Sequence, residues 1–97
     1  CNVLDKASVE QAYVQIKRDF GSCDILINGA GGNNPRATTH SAYYSASALD
    51  EEVKSFFDLD AEIVGFVLNL NFLGTLIPTQ VFAKVMAEKS HAVILHI

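Results

Sequence analysis

The sequence predicts an α/β fold: the central βαβ portion of a doubly wound parallel sheet, in a three-layer αβα sandwich. Three observations carry this. Asp24-Ile25-Leu26-Ile27-Asn28 holds three large aliphatic residues in a row, and a run without alternation suits a strand covered on both faces. A long apolar segment and a second aliphatic run, His91-Ala92-Val93-Ile94-Leu95-His96-Ile97, follow, and strand, helix, strand in that order makes a right-handed parallel crossover. The first strand also runs directly into Gly29-Ala30-Gly31-Gly32, where the backbone can turn sharply and a partner can come close. In open α/β sheets ligands sit off the carboxyl ends of the strands, so a ligand is expected here.

Taken in order, Cys1-Asn2-Val3-Leu4 reads as the end of a strand. Ser8-Val9-Glu10-Gln11 fits a capping box with Ser8 as N-cap. Val9, Ala12, Tyr13, Ile16 and Phe20 then form one helical stripe, and Gly21 is placed to end that helix. The strand over 24–28 follows. Residues 29–39 hold three glycines, Asn33, Asn34 and Pro35 without periodicity and read as a loop. The segment 41–57 gives a poor signal, with a short helix possible over 49–57. Residues 33–57 form either a lid or specificity loop beside the ligand or a solvated excursion. Asp60 can cap a helix running to about Lys89, broken or kinked between Gly74 and Pro78. That helix is apolar nearly all round. An outer set that includes Leu68, Phe72, Ile77 and Phe82 needs cover beyond one sheet face, which a two-fold contact between equivalent helices would give.

Composition narrows the function classes. Of 97 residues, 49% are hydrophobic and 19% charged, which suits a packed globular domain. The net charge is −4 with no cluster of Lys or Arg, which argues against a nucleic-acid or anionic membrane surface. No run of about 20 apolar residues stands out as a membrane span. Cys1 and Cys23 lack metal-ligand spacing, and Cys23 reads as a reduced core thiol. His40, His91 and His96 have no metal-like spacing either, so no metal is expected; His96 reads as a hydrogen-bonded core or pocket-edge residue. Asp58, Asp60 and Glu62 gather at a helix start, where caps and the helix dipole account for them. Arg36 can bind a substrate carboxylate or remain a solvated loop arginine. The chain does not begin with Met, and both ends fall within apparent strands, so a segment of a larger protein is expected.

Phe20-Gly21-x-x-Asp24-Ile25-Leu26-Ile27-Asn28-Gly29-Ala30-Gly31 resembles the central segment of the short-chain dehydrogenases/reductases. That family reads Asn-Asn-Ala-Gly or Asn-Ala-Ala-Gly there, Val-Asn-Leu-x-Gly about forty residues on, and Gly-x-Ile-Val-Asn-Ile-Ser-Ser in its next strand. Here Leu70-Asn71-Phe72-Leu73-Gly74 and His91–Ile97 stand in those places. The resemblance spans essentially the whole chain and implies a partial Rossmann-like domain over 1–97 with an insertion at 33–57. Within the family, Asn28–Asn33 with Ala37-Thr38-Thr39, and Asn71–Thr75, are most similar to sugar-acid reductases of the mannonate oxidoreductase or fructuronate reductase type.

The resemblance implies roles. Asn28, Gly29, Ala30 and Gly31 would lie against the adenosine ribose of NAD or NADP, with Asn28 also tying strands together. Asn2 and Val3 stand where the family has an aspartate–hydrophobic pair at the adenine; the Asn2 amide can still accept from the adenine amino group, without the charge. Asn71 matches the family's catalytic asparagine, which distorts its helix and holds a water linked to the active lysine; the alternative is a polar residue satisfied in a helix contact. The glycine-rich phosphate turn, the catalytic serine and the Tyr-x-x-x-Lys pair are not among these 97 residues. Tyr13-Val14-Gln15-Ile16-Lys17 spells the last pattern, but before the Gly turn and on a core stripe, so it reads as chance. Two functions remain: the middle of a cytoplasmic NAD(P)-dependent reductase of a small carbonyl or alcohol substrate, homodimeric or homotetrameric through the 60–89 helix, or a non-catalytic fragment or interaction module that keeps the fold without the chemistry.

Overall fold

A computed structural model of the chain describes residues 1–46 and 53–97. Its first helix, α1 (Lys6–Phe20), starts at Asp5, whose carboxylate accepts from the Ala7 N–H at 3.0 Å. Ser8 is therefore not the cap; its hydroxyl accepts instead from the Asn2 N–H at 2.9 Å. A carboxylate at the helix start both caps and meets the positive end of the dipole, so the upstream position wins. Cys1–Leu4 is not a strand. The Leu4 N–H donates to Asn2 Oδ1 at 3.0 Å and the Asp5 N–H to the Asn2 carbonyl at 3.1 Å, which folds these residues into a turn. Such local bonds compete with a ladder wherever no neighbouring strand offers one. Gly21 ends α1 at φ 87°, with its N–H donating to the Lys17 carbonyl.

Two strands, β1 (Ile25–Asn28) and β2 (Val93–His96), pair in parallel, with Leu26 beside Ile94 and Asn28 beside His96. Between them runs α2 (Ala61–Met86), capped by Asp60 as expected: Asp60 Oδ1 accepts from the N–H groups of Glu62 and Ile63. The helix ends at Met86, short of Lys89, and a turn covers Ala87–Lys89. It runs unbroken through Pro78. One turn below, the Thr79 hydroxyl donates to the Thr75 carbonyl at 2.7 Å.

The core is thin. Val9, Phe82 and Met86 are the buried hydrophobic residues among those described, with Tyr13, Cys23, Leu26, Ile77, Val81 and Ile94 packed around them. Tyr13 meets Phe82 edge-on at 5.3 Å between ring centres. Phe82 and Ile77 therefore belong to the inner face of α2, not to the outer set the sequence suggested, because α1 crosses α2 there. Leu68 and Phe72 do face outward, 63% and 67% exposed. Both helices lie on one side of the sheet, so the strands are covered on one face only. Ile25 and Ile27 are 65% and 57% exposed, although their unalternated run suggested cover on both faces. The Cys23 thiol is free and half-buried, and donates to the Ile25 carbonyl. Lys89, just past α2, pairs with Asp24 at the foot of β1.

With 26 residues and an 18-residue stretch of mean hydropathy 1.5, α2 is long and apolar enough to cross a membrane by length and composition. The sequence argument against a span therefore fails on those two measures. Of that stretch 11% is buried, and the inner face of α2 meets the sheet and α1.

In the connecting segment, Pro35–Ala37 forms a 3-10 turn capped by Asn34, and Phe56–Asp58 forms another. Ser55 and Asp58 make a reciprocal capping box; the Ser55 hydroxyl and N–H both donate to Asp58 and hold its carboxyl below the usual carboxylate range. The neck of the segment is closed by two bonds, from the His40 N–H to the Lys54 carbonyl and from the Lys54 N–H to His40 Nδ1. The first part of the short helix expected over 49–57, and the tip of the 33–57 insertion, fall at 47–52, outside the described residues; 53–55 are not helical, and 56–57 belong to the 3-10 turn.

Candidate functional site

The carboxyl ends of β1 and β2 bring Asn28 and His96 side by side. Asn28 is 4% exposed. Its Nδ2 donates to Thr79 Oγ1 at 3.0 Å and meets His96 Nδ1 at 3.1 Å. Its carbonyl accepts from the Ile97 N–H at 3.0 Å. One buried amide thus joins β1, β2 and α2, and a buried polar group bonded on several sides fixes its neighbours firmly. The sequence offered no sign of Thr79, which lies 51 positions from Asn28.

Beyond β1 the chain folds back onto α2. Asn71 Nδ2 donates to the Gly32 carbonyl at 2.8 Å, and Asn71 Oδ1 accepts from the Gly32 N–H at 3.2 Å. Nδ2 also donates to the Val67 carbonyl at 2.7 Å. The side-chain amide pairs with Gly32 as a neighbouring peptide would in a sheet. Gly31 passes so close that a Cβ there would lie 2.7 Å from Asn71 Oδ1. Gly32 holds φ 154°, a conformation other residues rarely adopt. One helical turn further on, a Cβ on Gly74 would stand 3.1 Å from Val3 Cγ2. Positions three apart share a helix face, so α2 receives the Asn2–Val3 segment and the Gly31–Gly32 loop at adjacent steps.

Val3, Asn28, Ala30, Gly31 and Asn71 are therefore gathered at one end of the sheet. Gly29 has no atom within 4 Å of where a Cβ would stand and is open to a close partner. Asn2 is exposed, with its Oδ1 taken up by the Leu4 N–H. Arg36 is not brought to this cluster. Its guanidinium pairs with Asp60 Oδ2 at 2.9 Å, and Asp60 stands about 16 Å along the helix axis from Asn71 at 1.5 Å per residue. Tyr13 is packed on Phe82 and takes no part. Backbone groups of a glycine-rich loop and neutral amides can bind and orient a ligand; the side chains of Val3, Asn28, Ala30 and Asn71 include no acid or base that could move a proton.

A parallel strand–helix–strand unit with this glycine-rich ligand end defines a Rossmann-like α/β protein. The family model for short chain dehydrogenases matches residues 1–97, and the chain belongs to that family. It is 53% identical over 96 residues to an uncharacterized oxidoreductase of Haemophilus influenzae, covering 99% of this chain and 33% of the relative. It is 38% identical to the uncharacterized oxidoreductase UxuB of Bacillus subtilis, covering 99% of this chain and 34% of the relative. A crystal structure of a Haemophilus influenzae protein, provisionally assigned as a D-mannonate oxidoreductase and carrying bound NAD, superimposes with a TM-score of 0.91 at 53% identity. The match covers 98% of this chain and 34% of that one. The chain thus spans about a third of the length of these relatives.

Proposed function

We propose that the chain works as the middle third of an NAD(P)-dependent oxidoreductase that reduces the carbonyl of a sugar acid such as fructuronate. The observation that carries the reading is the docking of Gly31–Gly32 on Asn71, one helical turn from Val3 on Gly74. It builds a close-approach edge at the ligand end of the sheet, where a dinucleotide fits. Asn2 and Val3 would hold the adenine. Asn28, Gly29, Ala30 and Gly31 would line the ribose. Asn71 would be the catalytic asparagine; by fixing the loop to α2 it would keep the floor of the site rigid. Arg36, which is held away from this cluster by Asp60, would have to leave that pair to bind a substrate carboxylate.

The bound nicotinamide supplies or takes the hydride, and residues outside these 97 supply the proton. The NAD in the Haemophilus structure favours NAD over NADP. The same likeness supports a mannonate or fructuronate substrate, and family membership supports a cytoplasmic homodimer or homotetramer. The test is the complete protein with NADH or NADPH and fructuronate, followed by absorbance of the reduced cofactor. Cofactor consumption that requires the keto acid is expected with the complete protein and none with the 97-residue polypeptide. A complete protein that binds neither cofactor overturns the reading.

A further inference from the structure

We propose that His96 is a positioning residue that latches Asn28, and that its protonation reverses the hydrogen-bond chain holding the ligand end of the sheet. The bonds have one direction. Asn28 Nδ2 can only donate, so His96 Nδ1, at 3.1 Å, accepts. The ring proton of neutral His96 therefore sits on Nε2. The second hydrogen of the same Nδ2 goes to Thr79 Oγ1 at 3.0 Å, and the Thr79 hydroxyl passes its own hydrogen to the Thr75 carbonyl at 2.7 Å. Both hydrogens of the Asn28 amide nitrogen are committed, and Asn28 Oδ1 makes none of these bonds. To a ligand at this end of the sheet, Oδ1 is the acceptor that Asn28 would offer.

A proton on Nδ1 would bring two donors face to face. The relief is a half-turn of the Asn28 amide. Oδ1 then accepts from His96 Nδ1–H and from the Thr79 hydroxyl, which lets go of the Thr75 carbonyl, while Nδ2 turns outward. The ligand side of Asn28 changes from acceptor to donor. That is a two-state element biased by one proton. The partners of His96 are neutral. On the elements packed against β2, Asp24 and Lys89 pair with each other at the far end of the strands. Glu62 and Lys84 on α2 and His91 ahead of β2 form no hydrogen bond or ion pair with His96 among the described residues. His96 itself is exposed.

The cofactor arm of the test rests on the NAD(P) reading above; the structural arm does not. The complete dehydrogenase, labelled with ¹⁵N in histidine and asparagine, is followed by NMR between about pH 8 and about pH 5, the range over which imidazoles charge. His96→Asn assigns the ring signal. At the alkaline end the His96 proton is expected on Nε2, and the Asn28 side-chain amide signals are expected to shift with the His96 titration. NAD affinity by calorimetry is expected to fall roughly three- to ten-fold on acidification, the scale of one hydrogen bond. In His96→Asn it should stay flat across the same range. A proton on Nδ1 at the alkaline end, Asn28 signals that ignore the titration, or the same affinity profile in His96→Asn each overturns the latch. A protein that binds no NAD at any pH removes the cofactor reading, and the ring and amide signals still decide the latch.

Discussion

Both ends of the Asn71 amide are taken by backbone of another segment, so its loss removes more than one contact. Asn71→Ala in the complete enzyme is expected to lower kcat about 10-fold or more, in the range of a lost catalytic positioning group, and also to weaken cofactor binding, because Gly32 loses both bonds. Asn71→Asp keeps the acceptor for the Gly32 N–H and loses the donor; it should fall between the two in steady-state kinetics. Equal cofactor affinity in all three would return Asn71 to chemistry alone. Gly31→Ala is the matching change from the loop side. Its Cβ would press on an Oδ1 that cannot swing away without breaking the clamp, and an overpacked contact costs about 1–3 kcal/mol, to be read as a lower urea midpoint. Asn28, Gly31 and Asn71 were legible in the sequence as motif positions. What they bond to was not, since Thr79 and His96 lie 51 and 68 positions from Asn28 and no local pattern links them.

The helices show where local rules suffice and where they do not. Asp60 as the start of α2 and Gly21 as the end of α1 follow from side-chain chemistry alone. Ser8 failed as a cap because Asp5 stood three residues earlier with a stronger acceptor. The inward assignment of Phe82 and Ile77 could not be read from a helix apolar all round, because only the crossing of α1 decides which side is inner. Asp60 serves two elements, capping α2 through Oδ1 and holding Arg36 through Oδ2. Asp60→Ala should cost about 1 kcal/mol from the lost cap and leave Arg36 unpaired; Asp60→Asn, which still caps, should restore most of the stability. If Arg36 serves the substrate, Asp60→Asn should also lower KM for the keto acid, because the competing carboxylate is gone.

At the scale of the molecule the chain is elongated, with a radius of gyration of 18.9 Å against about 13 Å for a compact domain of this size. Among the described residues, open apolar surfaces include the outer side of α2 at Leu68 and Phe72, and the sheet face of Ile25, Ile27, Val93 and Leu95. Phe72→Glu in the complete protein should split the oligomer in light scattering without loss of fold, whereas Phe82→Glu should unfold it, since Phe82 lies in the core. A Phe72→Glu protein of unchanged mass would remove α2 from the interface. The strands carry a different consequence. Neither β1 nor β2 has a partner on its outer edge among the described residues, and Ala92-Val93-Ile94-Leu95-His96-Ile97 bears no proline and no acidic or basic charge other than its histidine. Short uncharged β-formers at an open edge are the units from which cross-β fibrils grow. The six residues that finish the ligand end in a complete enzyme are thus the ones that would seed amyloid in an unassembled chain, and a thioflavin-positive deposit is the fate to look for when this segment is made alone.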